Sequence, residues 1–196
     1  MPLLSVDALV AYRRGAALFS PTSFDLDLGD SAIIRGDNGV GKTTLLECIA
    51  GLYRDWTGAI RGDLRGQISY LQQAPQGIRT LSLSDAARLV VGFAVGPYTE
   101  LVEKLKLESH TDKLLSILSG GELQRARLLL ALLRRHRILL LDEPFANLDH
   151  ESRDAITGVL DSTAPFRATL VVTHTLDAHG ILPNGSIDIA LCRNQC

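Results

Sequence analysis

The sequence predicts an α/β protein, with a mostly parallel sheet covered by helices, a small antiparallel β subdomain at the N-terminus and an inserted helical subdomain. Three observations predict it. Ile138–Leu141 and Thr169–Val172 are apolar runs without polar alternation, the pattern of strands buried on both faces of a parallel sheet. Segments of helical period alternate with them. At residues 31–43 an apolar run, a glycine-rich loop and the start of a helical pattern follow one another directly.

The elements follow in chain order. Residues 3–12 and 22–28 carry strand patterns separated by turn residues (Arg14-Gly15, Ser20-Pro21, Gly29-Asp30), so about 1–30 reads as the antiparallel β subdomain. Ser31–Ile34 is a strand, and Thr43–Leu52 has the apolar period of a helix. Residues 84–117 are helix-compatible, interrupted by Gly96-Pro97, and about 74–117 is assigned to the inserted helical subdomain. Then come a helix over 121–135, the strand 138–141, a helix over 150–160 and the strand 169–172. About 31–73 and 118–196 thus form the core of one domain, a size in keeping with 196 residues.

Composition excludes several function classes. A net charge of −2 and a pI near 6.2 give no footprint for nucleic acid, and the one basic cluster, Arg134-Arg135-His136-Arg137, reads as cations at a helix C-terminus. Cys48, Cys192 and Cys196 lack metal-ligand spacing and suit a reduced cytoplasmic setting. The N-terminus has no secretory pattern, and the longest apolar run, Leu128–Leu133, is far short of a membrane span.

Gly36-Asp37-Asn38-Gly39-Val40-Gly41-Lys42-Thr43 matches the phosphate-binding loop G-x-x-x-x-G-K-[ST] between a strand and a helix. Its glycines let backbone N–H groups surround phosphate oxygens, Lys42 would reach the β and γ phosphates, and the Thr43 hydroxyl would ligate Mg²⁺. The bare pattern arises by chance in on the order of one chain in a hundred. Ile138–Leu141 ends in Asp142-Glu143. Beside a phosphate loop, Asp142 suits the acid near the metal and Glu143 the base that deprotonates water. Leu118-Ser119-Gly120-Gly121-Glu122 precedes an amphipathic helix and reads both as a capping box, Ser119 with Glu122, and as an anion site with glycine-bared N–H groups.

A phosphate loop, an L-S-G-G-x signature and an Asp-Glu strand end, in this order, resemble the ABC ATPase family from about residue 3 to 190. The resemblance implies a P-loop NTPase core that binds ATP and Mg²⁺, with nucleotide contacts along Gly36, Asp37, Asn38, Gly39, Val40, Gly41, Lys42, Thr43 and Thr44. Gln73, or Gln72 one residue earlier, is similar to the family's Q-loop glutamine, which contacts Mg²⁺ and the attacking water. Asn147-Leu148-Asp149 is similar to the D-loop, His174 to the switch histidine at the γ-phosphate, and Tyr12 to the aromatic residue that stacks on adenine, with a plain core aromatic as its alternative. The family arrangement sets Ser119, Gly120, Gly121 and Glu122 against a phosphate held by a second nucleotide-binding domain. Three departures stand out: Glu122 replaces a common Gln, the D-loop begins Ala146-Asn147, and little chain follows His174, so no C-terminal regulatory domain is expected.

These features lead to the expectation of a transporter motor: an ATPase working as a homodimer on a membrane-spanning transporter subunit, peripheral on the inner face of the cell membrane, with no nucleic acid partner. The layout is similar to the smallest motor subunits, including those of metal and haem systems. The alternative, a soluble ABC ATPase acting on DNA or ribosomes, would bring coiled-coil insertions, tandem domains or basic extensions that this sequence lacks. A catalytically dead regulator would lose Glu143 or His174, and both are present.

Overall fold

Two sheets organise the chain in this computed structural model, which describes residues 1–72, 80–91, 96–134, 136–146, 148–173 and 186–193. In the antiparallel sheet, β1 (Leu4–Arg13) pairs with β2 (Ala16–Ala17), β3 (Thr22–Leu26) and β5 (Trp56–Arg61). The second sheet is parallel throughout, in the order β6 (Ile68–Leu71), β7 (Ile138–Asp142), β8 (Ala168–Val172), β4 (Ser31–Arg35), β9 (Ile187–Ala190).

The runs without polar alternation are explained by two cores, one on each face of the parallel sheet. Leu139, Leu141, Ile33 and Val171 face one core, shared with α4 (Gly120–Leu133) and α5 (His150–Thr163). Ile138, Leu140, Ala32, Ile34, Leu170 and Val172 face the other, shared with α1 (Lys42–Ile49) and the antiparallel sheet. Successive residues of a strand point to opposite faces, so a strand covered on both sides must be apolar at every position. The segment between β6 and α4 supplies α2 (Leu83–Val91) and α3 (Gly96–Lys104), which pack on α4. Among the described residues no helix is long and apolar enough to cross a membrane.

Several boundaries differ from expectation for identifiable reasons. Residues 56–61, which lie in the segment the sequence reading gave to the core, form β5 and join the antiparallel sheet through β1. The register between them shifts from Asp7 to Val10, where Ala8 has φ 45° and approaches Gly58 so closely that a Cβ there would lie 2.5 Å from the Ala8 carbonyl oxygen. Helix α1 ends at Ile49 rather than Leu52, because Gly51 turns left-handed at φ 73° and its N–H bonds back to the Cys48 carbonyl. Gly96-Pro97 begins α3, the first turn being where proline is tolerated. Helix α5 continues past Leu160 to Thr163.

Candidate functional site

Strand β4 feeds the phosphate loop directly into α1. Gly41 is the N-cap of α1, at φ 108° and with no side-chain cap, so the helix's first N–H groups are not taken up by a capping side chain. A Cβ on Gly41 would lie 2.9 Å from the Phe19 ring, and one on Gly36 would lie 2.6 Å from the Leu191 carbonyl oxygen. The loop is pressed between these neighbours and admits only glycine at both places. Lys42 folds over it, its ammonium donating to the carbonyls of Gly36 at 2.6 Å and Asp37 at 2.9 Å. Burial lowers the Lys42 pKa, against the opposing charges of Glu143, Asp37 and Asp142.

Parallel pairing through β8 brings the acidic strand end to this loop. The Thr43 hydroxyl donates to Asp142 Oδ2 at 2.8 Å across 99 residues of sequence, and Asp142 is 1% exposed. Tyr70 lies on neighbouring β6, and its phenol is pushed well above the usual range, first by burial and then by the Asp142 charge. Glu143 follows at φ 51°, in the left-handed region, with its N–H on the Val172 carbonyl at 2.9 Å. For a residue with a Cβ that conformation costs about 1–2 kcal/mol, and it falls at the residue that the sequence analysis expects to act as the base.

These groups share one cleft of about 360 Å³, lined by Asn38, Gly39, Gly41 to Thr44, Asp142, Glu143, Val172, Leu18 and Arg13. Two cations, two hydroxyls and the glycine-rich loop, gathered beside two carboxylates, suit a phosphate chain with a hard divalent cation. The donors Thr43 Oγ1 and Asp142 Oδ2 are oxygens, as Mg²⁺ prefers. Among the described residues no cluster of three His, Cys, Asp or Glu forms.

Tyr12 is placed differently from Arg13. It does not line the cleft: its hydroxyl lies 3.3 Å from Thr57 Oγ1 on β5, and its carbonyl accepts from the Tyr53 hydroxyl. Arg13, the next residue of β1, lines the cleft instead. Alternation along a strand puts neighbours on opposite faces, and that signal could have singled out Arg13.

The signature stands apart. Ser119 caps α4, with the Glu122 N–H on its hydroxyl at 3.4 Å and its own N–H on Glu122 Oε2 at 2.8 Å, the capping box the sequence predicts. None of Ser119, Gly120, Gly121 and Glu122 lines the cleft. The space around Gly120 is open, whereas a Cβ on Gly121 would lie 2.8 Å from Ser152 Oγ on α5. Asp149 caps α5 by accepting from the Ser152 N–H at 2.7 Å, which holds its carboxyl below the usual range. Gln73, Asn147 and His174 lie outside the described residues. Sequence reasoning missed a link through α4: Gln124 donates to the Pro144 carbonyl at 3.2 Å, and Arg127 donates to Gln124 and to the Gln72 carbonyl.

The sequence pattern of the ABC transporter family matches residues 19–146. The cytochrome c biogenesis ATP-binding export protein CcmA of Xanthomonas campestris pv. campestris is 32% identical over 188 residues, covering 88% of this chain and 87% of that protein. The zinc import ATP-binding protein ZnuC of Ehrlichia chaffeensis is 28% identical over 201 residues, covering 98% and 81%. Among solved structures, the ATP-binding subunit of an ABC transporter superposes with a TM-score of 0.84 at 23% identity, covering 96% of this chain and 88% of that one. With the phosphate loop and the acidic strand end in one cleft and relatives of this kind along nearly the whole chain, the protein belongs to the ABC transporter family, as an ATP-binding subunit that hydrolyses ATP.

Proposed function

We propose that ATP hydrolysis by this chain is coupled to transport through two partners, a second copy of the chain and a separate membrane-spanning subunit. The observation that carries the reading is the separation of the two phosphate-binding features: the phosphate loop and acidic pair share one cleft, while the signature N-terminus opens elsewhere. A second chain would bring its signature to the γ-phosphate held here, and the first would return the favour.

Within the cleft, Gly36 to Thr44 wrap the phosphates and Lys42 exchanges its loop carbonyls for phosphate oxygens. Thr43 and Asp142, with Gln73, would hold Mg²⁺, which when bound offsets the phosphate charge. Glu143 takes the proton of the attacking water, and His174 meets the γ-phosphate. Asp149 stands at the junction with the second chain, and Tyr12 stacks at the base, with Arg13 reaching the nucleotide from the cleft wall. Residues 74–117 dock the membrane subunit and keep the protein on the inner face of the membrane. One relative is named for export and another for import, so the cargo and its direction are set by the membrane subunit rather than by this chain.

The shared site is tested by mixing two defective chains. Lys42→Ala loses phosphate contacts and Ser119→Arg blocks the facing site, so each alone should fail to dimerise with ATP. Mixed, one intact phosphate loop faces one intact signature, and light scattering in a Glu143→Gln background should detect dimers. If Ser119→Arg alone dimerises normally, the shared site is wrong.

A further inference from the structure

We propose that His110 is a positioning residue for the shared site, holding the Glu122 carboxylate against the Ser119 N–H at the start of α4 with both of its oxygens engaged. The inference rests on the shared-site reading above. A carboxylate in the first turn of a helix favours the helix, but it opposes the arrival of a phosphate at the same end, because both are anions. Here the carboxylate is bonded at both oxygens. Glu122 Oε2 accepts from the Ser119 N–H at 2.8 Å, and Glu122 Oε1 lies 2.9 Å from His110 Nε2.

The histidine is itself held. It ends the short 3₁₀ turn Glu108–His110, its N–H bonds to the Leu107 carbonyl, and its Nδ1 lies 3.0 Å from the Ser109 hydroxyl. Leu105 and Leu107 before it are fully buried. The His110 side chain is 14% exposed, against 91% for His150, whose pair with Asp154 is an ordinary surface contact. A sheltered partner from the helical insert therefore fixes the rotamer of Glu122, while the space around Gly120 remains open. The chain Ser109, His110, Glu122, Ser119 joins the insert to the residue that caps α4.

The test compares His110 variants with and without the charge they are said to hold, all in the Glu143→Gln background, by the ATP concentration giving half-maximal dimerisation. His110→Ala should raise that concentration about three- to tenfold, the scale of one charge-assisted hydrogen bond. His110→Gln, which keeps a donor, should recover part of the loss. In a Glu122→Gln chain, the same His110→Ala change should shift the concentration less than about twofold, because no carboxylate remains to be held. An equal shift in both chains would make His110 merely structural, and no shift in either would make it irrelevant; each result overturns the proposal. Ser119→Arg is run alongside. If it abolishes dimerisation, the shared site stands whatever His110 does; if it dimerises normally, the shared site falls and this proposal falls with it.

Discussion

Two helix N-termini in this protein, both proposed to meet phosphate, are built in opposite ways. Helix α1 starts on Gly41 with no side-chain cap, and the bonds around it join residues far apart in sequence, such as Thr43 to Asp142. Helix α4 starts on Ser119 with a complete capping box whose bonds span three residues. The first end depends on the whole fold for its shape and has carboxylates in place for chemistry. The second closes its cap within its own turn, with His110 from the insert as the added partner of Glu122, and the space around Gly120 is open. An end that binds and reacts needs tertiary support, and an end that only docks can be self-sufficient.

The sharpest way to break that contrast is to remove chemistry from the first end alone. Glu143→Gln keeps the shape of the side chain and loses the base, so ATP hydrolysis should fall about 10²- to 10⁴-fold while ATP binding stays within a few-fold. Both are measured on one preparation. Hydrolysis close to wild type would take Glu143 out of the role of base.

The next largest effect compares glycines at the two ends. Gly41→Ala forces a Cβ into φ 108° and to within 2.9 Å of the Phe19 ring, so a loss of about 3 kcal/mol in unfolding free energy is expected. Gly120→Ala meets nothing within 4 Å and should leave stability within about 0.5 kcal/mol. Denaturant titration of both variants decides it, and equal losses would erase the distinction between a fold-supported and a self-sufficient end.

That distinction also sets what the sequence revealed. The phosphate loop, the acid pair at the end of β7 and the Ser119–Glu122 box were legible because each is a contiguous pattern in the chain, although the first two meet only in the fold. The pairing of β5 with β1 was not, because Trp56–Arg61 shows no clean alternation of burial and its register hangs on a bulge at Ala8, some fifty residues earlier. Tyr12 is the residue that the family resemblance singles out, and its neighbour on β1, Arg13, is the one that lines the cleft. The contacts of Tyr70 with Asp142, His110 with Glu122 and Arg127 with Gln72 each join separate elements, and no spacing in the sequence announces them.

A smaller effect comes from the opposite end of the parallel sheet. His136, just before β7, is buried, with Nδ1 at 2.6 Å from the Arg134 carbonyl and Nε2 at 2.7 Å from the Arg167 guanidinium. That geometry fixes a neutral ring, and burial, followed by the Arg167 charge, lowers its pKa to about 4. The unfolded chain takes up the proton near pH 6.5 and the folded one only near 4, so the contribution is complete above 6.5 and is lost as pH falls. Between pH 6.5 and 5 the loss should be about 2 kcal/mol, and His136→Gln should flatten that part of the stability profile. A slope unchanged in the variant would assign it to the carboxylates instead.

The smallest effect asks whether the two ends communicate. Arg127 is on the signature helix, yet its guanidinium donates to the Gln72 carbonyl, one residue before Gln73, and to Gln124, whose amide holds the Pro144 carbonyl just past the acidic pair. Burial lowers the Arg127 pKa, a cost the fold accepts in return for these bonds. Arg127→Met keeps much of the volume and removes the donors. If the link serves only packing, the variant loses about 1 kcal/mol of stability and keeps its turnover. If it places the Gln72-Gln73 backbone for catalysis, kcat falls about three- to tenfold while the KM for ATP, set in the cleft by the phosphate loop, stays nearly constant. A fall in kcat at constant KM would join the self-sufficient end to the reacting one through α4, and a change in KM alone would leave them independent.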